Sequence, residues 1–180
     1  MKAKISLLLV FLSFLGHAQE KYYTKSGEIT FESSVPSFEE VKATNTKVTA
    51  ILKDDGSIAS LALTKAFRFK IALMEEHFNE NYIESDNFPK ATFSGKIIDF
   101  SIGELTNEYK KFTLRGKLSI HGITKKTEII ARVKKIAAVI HISSNFTIVP
   151  EDFGIEIPSI VRKKIAKEVD VFFTFKLEKK

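Results

Sequence analysis

Five apolar side chains near the C-terminus, Val169, Val171, Phe173, Phe175 and Leu177, fall two residues apart, with Asp170, Phe172, Thr174 and Lys176 between them. A period of two places alternate side chains on opposite faces of an extended chain, which a helix does not do. The run Glu168 to Glu178 is therefore a strand with one wet and one dry face. Tyr109 to His121 repeats the pattern: Phe112, Leu114, Gly116, Leu118 and Ile120 share one face, and Thr113, Arg115, Lys117 and Ser119 the other. Such clean alternation belongs to antiparallel sheets.

The same reading yields strands at Lys21–Val35, Thr46–Lys53, Ser57–Thr64, Ala91–Ile102, Thr124–Lys135 and Ala137–Ile148. Asp54-Asp55-Gly56 and His121-Gly122 supply hairpin turns, and Gly103–Glu108 turns the chain again. Gly95 and Gly116 fall on inward faces, where a missing side chain permits a barrel corner. Helical pieces are few and short: PSFEEV at 36–41 as one turn or a loop, the stretch around Leu73–Tyr82, and SIVRKKIA at 159–166. Roughly eight strands with little helix predict an all-β fold, an extended eight-stranded antiparallel barrel with short helical insertions covering one end. A sandwich of two sheets is the alternative. An eight-stranded barrel is just wide enough for one small ligand.

Sixteen phenylalanines against four tyrosines and no tryptophan favour a dry interior, since phenylalanine brings no polar handle. That interior serves equally as a packed core or as the lining for an apolar ligand. Residues 1–18 have the form of a signal peptide: Lys2 and Lys4, an apolar run from Ile5 to Leu15, then Gly16-His17-Ala18. The run is shorter than the ~20 residues a spanning helix needs. One domain, 19–180, is expected to follow in the periplasm or outside the cell, and a chain without cysteine suits an oxidising compartment. The formal charge of +6 falls to +4 once Lys2 and Lys4 are gone, 26 basic against 22 acidic residues. That mild excess is spread along the chain apart from Arg162-Lys163-Lys164 and Lys179-Lys180, and the aromatics alternate inward, so nucleic-acid binding is not expected.

Catalytic signals are weak. The expected mature chain carries His77, His121 and His141, without the HExxH spacing of a zinc enzyme, a nucleophile elbow or a glycine-rich phosphate loop. Glu75-Glu76 and Asp54-Asp55 are adjacent pairs that read as solvated surface. No catalytic residue, metal or cofactor is assigned. A His77–His121 pair, with or without a metal, is kept as a third reading.

The stretch Phe67–Gly95 combines these features: alternating Phe67 and Phe69, a helix-like run with Leu73, His77 and Phe78 on one stripe, then Phe88-Pro89 and a new strand carrying Ala91 and Phe93. Together with Gly116-Lys117-Leu118-Ser119-Ile120-His121-Gly122-Ile123-Thr124-Lys125 and Asp152-Phe153-Gly154-Ile155, it resembles the YceI-like polyisoprenoid-binding family. The resemblance runs from about Gly27 to Leu177. It implies a lipocalin-like barrel with a long hydrophobic pore, closed at one end by the helix-like run as a lid. It also implies a non-enzymatic partner for a polyisoprenoid or similar apolar lipid, bound as ligand rather than cofactor. Stable membrane insertion is not expected, and a homodimer is left open.

On this reading the candidate lining is Phe67, Phe69, Phe93, Ile97, Leu114, Leu118, Val171, Phe173 and Phe175, with Met74 and Phe78 closing one end. His77 then fixes the lid. The competing reading is an exported structural or stress-related barrel whose phenylalanines fill the interior and leave no room for a ligand.

Overall fold

The first and last strands pair with each other, and that pairing turns a sheet into a barrel. The computed structural model describes residues 20–36 and 38–180, so the expected signal peptide lies outside the described residues. The strands are β1 (Lys21–Ser34), β2 (Lys42–Lys53), β3 (Ser57–Leu63), β4 (Arg68–Phe69), β5 (Lys90–Ile97), β6 (Lys110–Ile120), β7 (Ile123–Ile136), β8 (Val139–Ile148) and β9 (Ile165–Lys179). Around the barrel the order is β1-β9-β8-β7-β6-β5-β3-β2 and back to β1. Every neighbouring pair is antiparallel. The eight strands thus satisfy one another's backbone groups and leave no open edge. β4 is a two-residue annex, Ala43 facing Phe69 and Thr44 facing Arg68 at the start of β2.

Alternation decides which side chains enter. In β9, Val169, Val171, Phe173, Phe175 and Leu177 are buried while the residues between them are exposed. β6 does the same with Phe112, Leu114 and Leu118. The single α-helix among the described residues, α1 (Ala72–His77), continues into a wide π-type turn at Phe78–Tyr82. This pair forms the insertion expected over one end.

Three boundaries depart from the sequence reading. β2 begins at Lys42 rather than Thr46, because Ala43 and Thr44 pair with β1 on one side and β4 on the other. β5 stops at Ile97 rather than Ile102: Asp99 takes a positive φ of 52° and a 3-10 turn follows at Ile102–Glu104. The helix expected at 159–166 does not form. Pro158 instead anchors tight turns, its carbonyl accepting from the amides of Val161 and Arg162 at 3.1 Å each, and Ile165 already belongs to β9.

Gly95 and Gly116 face each other across β5 and β6. A Cβ on Gly116 would sit 2.5 Å from the Ser94 carbonyl oxygen and 2.7 Å from the Phe93 ring, and one on Gly95 would sit 2.4 Å from the Arg115 carbonyl oxygen. The strands approach this closely only because both side chains are missing. Gly116→Ala is expected to cost about 1–3 kcal/mol as an overpacking change. Urea unfolding measures it, and an unchanged midpoint would show that the two strands part without strain.

His141 gives the barrel a pH dependence. It is half-buried on β8, opposite Lys134 of β7 and Lys176 of β9. Burial, then the charges of Lys134 and Lys176, push its pKa below the usual histidine value. The folded chain therefore prefers the neutral ring. The cost of charging it sets in as pH falls below the unfolded value of about 6.5 and is complete below the depressed folded one. Melting temperature should drop on acidification through this window, and His141→Gln should flatten part of that drop. An identical slope in the variant would remove His141 from the account.

Candidate ligand-binding cavity

The interior is divided. One half is solid: Leu52, Ile97, Ile140, Ile142, Leu177, Val48 and Val133 are fully buried, packed with Tyr22 and Phe112. The other half holds a cavity of about 710 Å³, within the range of pockets that enclose small molecules. The boundary is read strand by strand. Phe93 lines the cavity and Ile97 does not; Leu114 and Leu118 do and Phe112 does not; Val169, Val171, Phe173 and Phe175 do and Leu177 does not. Ile58, Leu114, Ile129 and Phe175 thus form the floor.

Of the eleven residues singled out from the sequence, the structure places Phe67, Phe69, Met74, Phe78, Phe93, Leu114, Leu118, Val171, Phe173 and Phe175 on the cavity wall. Ile97 is the exception. It lies below the floor, fully buried in the solid half, two inward positions beyond Phe93, the last wall residue of β5.

Four rings meet beneath the lid. Phe31 lies 5.3 Å from Phe67, 5.7 Å from Phe69 and 5.3 Å from Phe78, centroid to centroid. Phe69 and Phe78 are 5.2 Å apart. Deeper in, Phe173 stacks on Phe175 at 4.8 Å and meets Phe146 edge-on at 6.4 Å. Phe31 and Phe146 were absent from the sequence-derived lining, as were Ile29 and Ile148. Their signal was present, since Ile29 and Phe31 lie two apart, as do Phe146 and Ile148. Ala62 and Ala91, paired across β3 and β5, leave room where larger residues would fill the space.

The lid reading needs one change. Met74 and Phe78 turn toward the cavity, but Leu73 is 56% exposed, so the inward stripe runs through Met74, not Leu73. Arg68 pairs with Glu75 at 2.8 Å, and Glu75 also accepts from the Phe69 amide, which ties α1 to β4. His77 lines the cavity yet is exposed at its mouth.

His121 holds the chain together beside the cavity. It has a positive φ of 50° and its ring packs 4.2 Å from that of Phe88. Nδ1 donates to the Phe153 carbonyl at 3.1 Å, and Nε2 meets a Glu84 carboxylate oxygen at 2.7 Å. One side chain thereby joins the segment after the lid, the β6–β7 turn and the loop after β8. With both ring nitrogens engaged, its geometry is that of a fastener. Among the described residues no three His, Cys, Asp or Glu side chains come together as a metal site.

Polar groups are few on the wall, and two of them are occupied by the chain itself. Ser33 donates to the Ala166 carbonyl at 3.1 Å and Thr64 to the Phe88 carbonyl at 3.0 Å. Burial pushes the Tyr82 phenol pKa up, which favours its neutral form. Among the described residues, no fully buried side-chain nitrogen or oxygen lacks a partner, and most of the residues on the cavity wall are apolar. Apart from its mouth, the site offers surface for apolar contact.

Comparisons with known proteins bear on this barrel. A polyisoprenoid binding domain from Saccharophagus degradans, described as implicated in plant cell wall breakdown, superposes with a TM-score of 0.77 at 15% identity, covering 88% of this chain and 97% of that one. BcnA of Burkholderia cenocepacia gives 0.69 at 16% identity, covering 84% and 95%. A YceI protein of Campylobacter jejuni gives 0.59 at 16% identity, covering 81% and 88%. At these identities the likeness concerns the fold. No curated protein matches the chain. The model of the YceI-like domain matches residues 21–177, almost the whole of the described barrel, and the protein belongs to the YceI-like family.

Proposed function

We propose that this protein is a non-enzymatic binding protein that holds a polyisoprenoid or similar long apolar lipid chain in the mouth half of its barrel. The observation that carries the reading is the cavity itself: about 710 Å³, walled mainly by phenylalanine and aliphatic side chains. Each methylene moved from water into such a space contributes roughly 0.8 kcal/mol, so a chain of several isoprene units binds without a polar anchor. Membership of the YceI-like family supports this, as does the fold shared with a polyisoprenoid binding domain. Cleavage of residues 1–18 would deliver the domain 19–180 to the periplasm or the exterior. No cofactor enters the reading. Among the described residues no helix is long and apolar enough to cross a membrane.

Native mass spectrometry of the protein purified from its own host is expected to show a co-purifying lipid. A clean ligand-free mass, together with no uptake of added polyprenyl lipid, would overturn the proposal in favour of an unliganded structural barrel.

A further inference from the structure

The wall residues that are also solvent-exposed, Phe38, Glu39, His77 and Lys164, mark the mouth of the cavity. They come from the β1–β2 loop, α1 and the segment leading into β9. The last of these differs in chemistry from the other two. Within Pro158–Lys164, Val161 and Lys164 face the cavity while Ile160 is 86% exposed, the most exposed large apolar side chain among the described residues. Arg162, Lys163 and Lys164 follow it after the single residue Val161. The Arg162 guanidinium donates to the Ile157 carbonyl at 3.2 Å, bracing the loop. None of the ion pairs among the described residues engages any of the three cations.

We propose that the Pro158–Lys164 loop docks the cavity mouth onto a bilayer surface bearing anionic headgroups. An apolar tip backed by uncompensated cations fits that interface, the side chain entering the acyl boundary and the charges meeting lipid phosphates. A protein partner fits less well. One protruding isoleucine covers far less than the ~1,000 Å² a specific protein interface needs. Docking is one-sided. Phe38 and Leu73 add apolar surface across the mouth, but the exposed carboxylates of Glu39 and Glu76 stand beside them. Glu40 is paired with Lys42 at 3.9 Å, and Glu156 is the acid nearest the loop in sequence. The chain therefore leans on the membrane by the loop and holds the lid away from it. The inference goes beyond the lipid-holding function and rests on it only for why the mouth meets a membrane.

Co-sedimentation of the intact chain with vesicles tests it. Binding is expected to phosphatidylcholine vesicles containing phosphatidylglycerol, to weaken as salt rises, and to be much poorer with phosphatidylcholine alone. Arg162→Gln and Lys163→Gln should each weaken binding about fivefold, and Ile160→Ser about tenfold. Equal binding to both vesicle types, or wild-type binding by Ile160→Ser and the double glutamine variant, overturns the proposal. So does indifference to both vesicle types with salt-sensitive retention on polyglutamate, which would make the loop a protein-docking site. Uptake of polyprenyl lipid from detergent, measured on the same variants, is expected to be unchanged. It separates failure of docking from failure of the cavity reading.

Discussion

Filling the mouth half from Ala62 and Ala91 is expected to abolish lipid retention and leave the barrel folded. The two alanines are cross-strand partners on β3 and β5, and both lie on the cavity wall. Ala62→Phe with Ala91→Phe places two rings side by side in open space, not in packed core, so the usual overpacking cost is largely avoided. The rings displace on the order of eight methylenes of ligand, each worth about 0.8 kcal/mol. Even half of that sum weakens binding by more than about 100-fold. Native mass spectrometry after incubation with polyprenyl lipid reads the loss, and a melting temperature close to that of the parent shows that the fold survived. Undiminished lipid in a folded double variant would mean that the ligand sits elsewhere.

Ile97→Ala is expected to cost about 2–5 kcal/mol, and Ile148→Ala distinctly less. The two substitutions remove the same atoms on opposite sides of the cavity floor. Ile97 is fully buried between the strands of the solid half, where its loss leaves a void that rigid neighbours cannot close. Ile148 borders space that is already empty, so its outer surface forfeits few contacts. Urea unfolding of both variants in lipid-free form measures the gap. Equal costs would show that the two halves are packed alike and that the cavity closes in solution.

Why one prediction from the alternation reached the wall and another missed it follows from the same division. Period-two patterning in β6 and β9 identifies inward positions without ambiguity, because Phe112, Leu114 and Leu118 differ from Arg115 and Lys117 in kind. It does not distinguish Phe93 from Ile97, since both are inward and apolar. Their difference lies in depth along the barrel, which depends on how eight registers combine. The starts of β2 and β9 were illegible for a related reason. Lys42–Asn45 and Ile165–Lys167 carry little strand signal, and their extended shape comes from pairing with β1 and β4. Leu73 misled through helical spacing alone, whereas the direction of α1 is fixed by Glu75 holding Arg68 and the Phe69 amide. The pinning role of His121 required knowing that Glu84 and Phe153 arrive at the same place.

The pairing of β1 with β9 also governs how the molecule comes into being. Tyr22 finds Lys179 across nearly the full length of the chain, so the cylinder cannot close until its last residues have been made. Until then β1 has only β2 beside it, and its other flank is an unsatisfied edge of the kind that recruits neighbours. Contacts this distant in sequence are slow to form. Synthesis from the N-terminus therefore yields a growing ribbon that stays open and malleable to the end, and the lipid chamber exists only after the final strand has been laid in place.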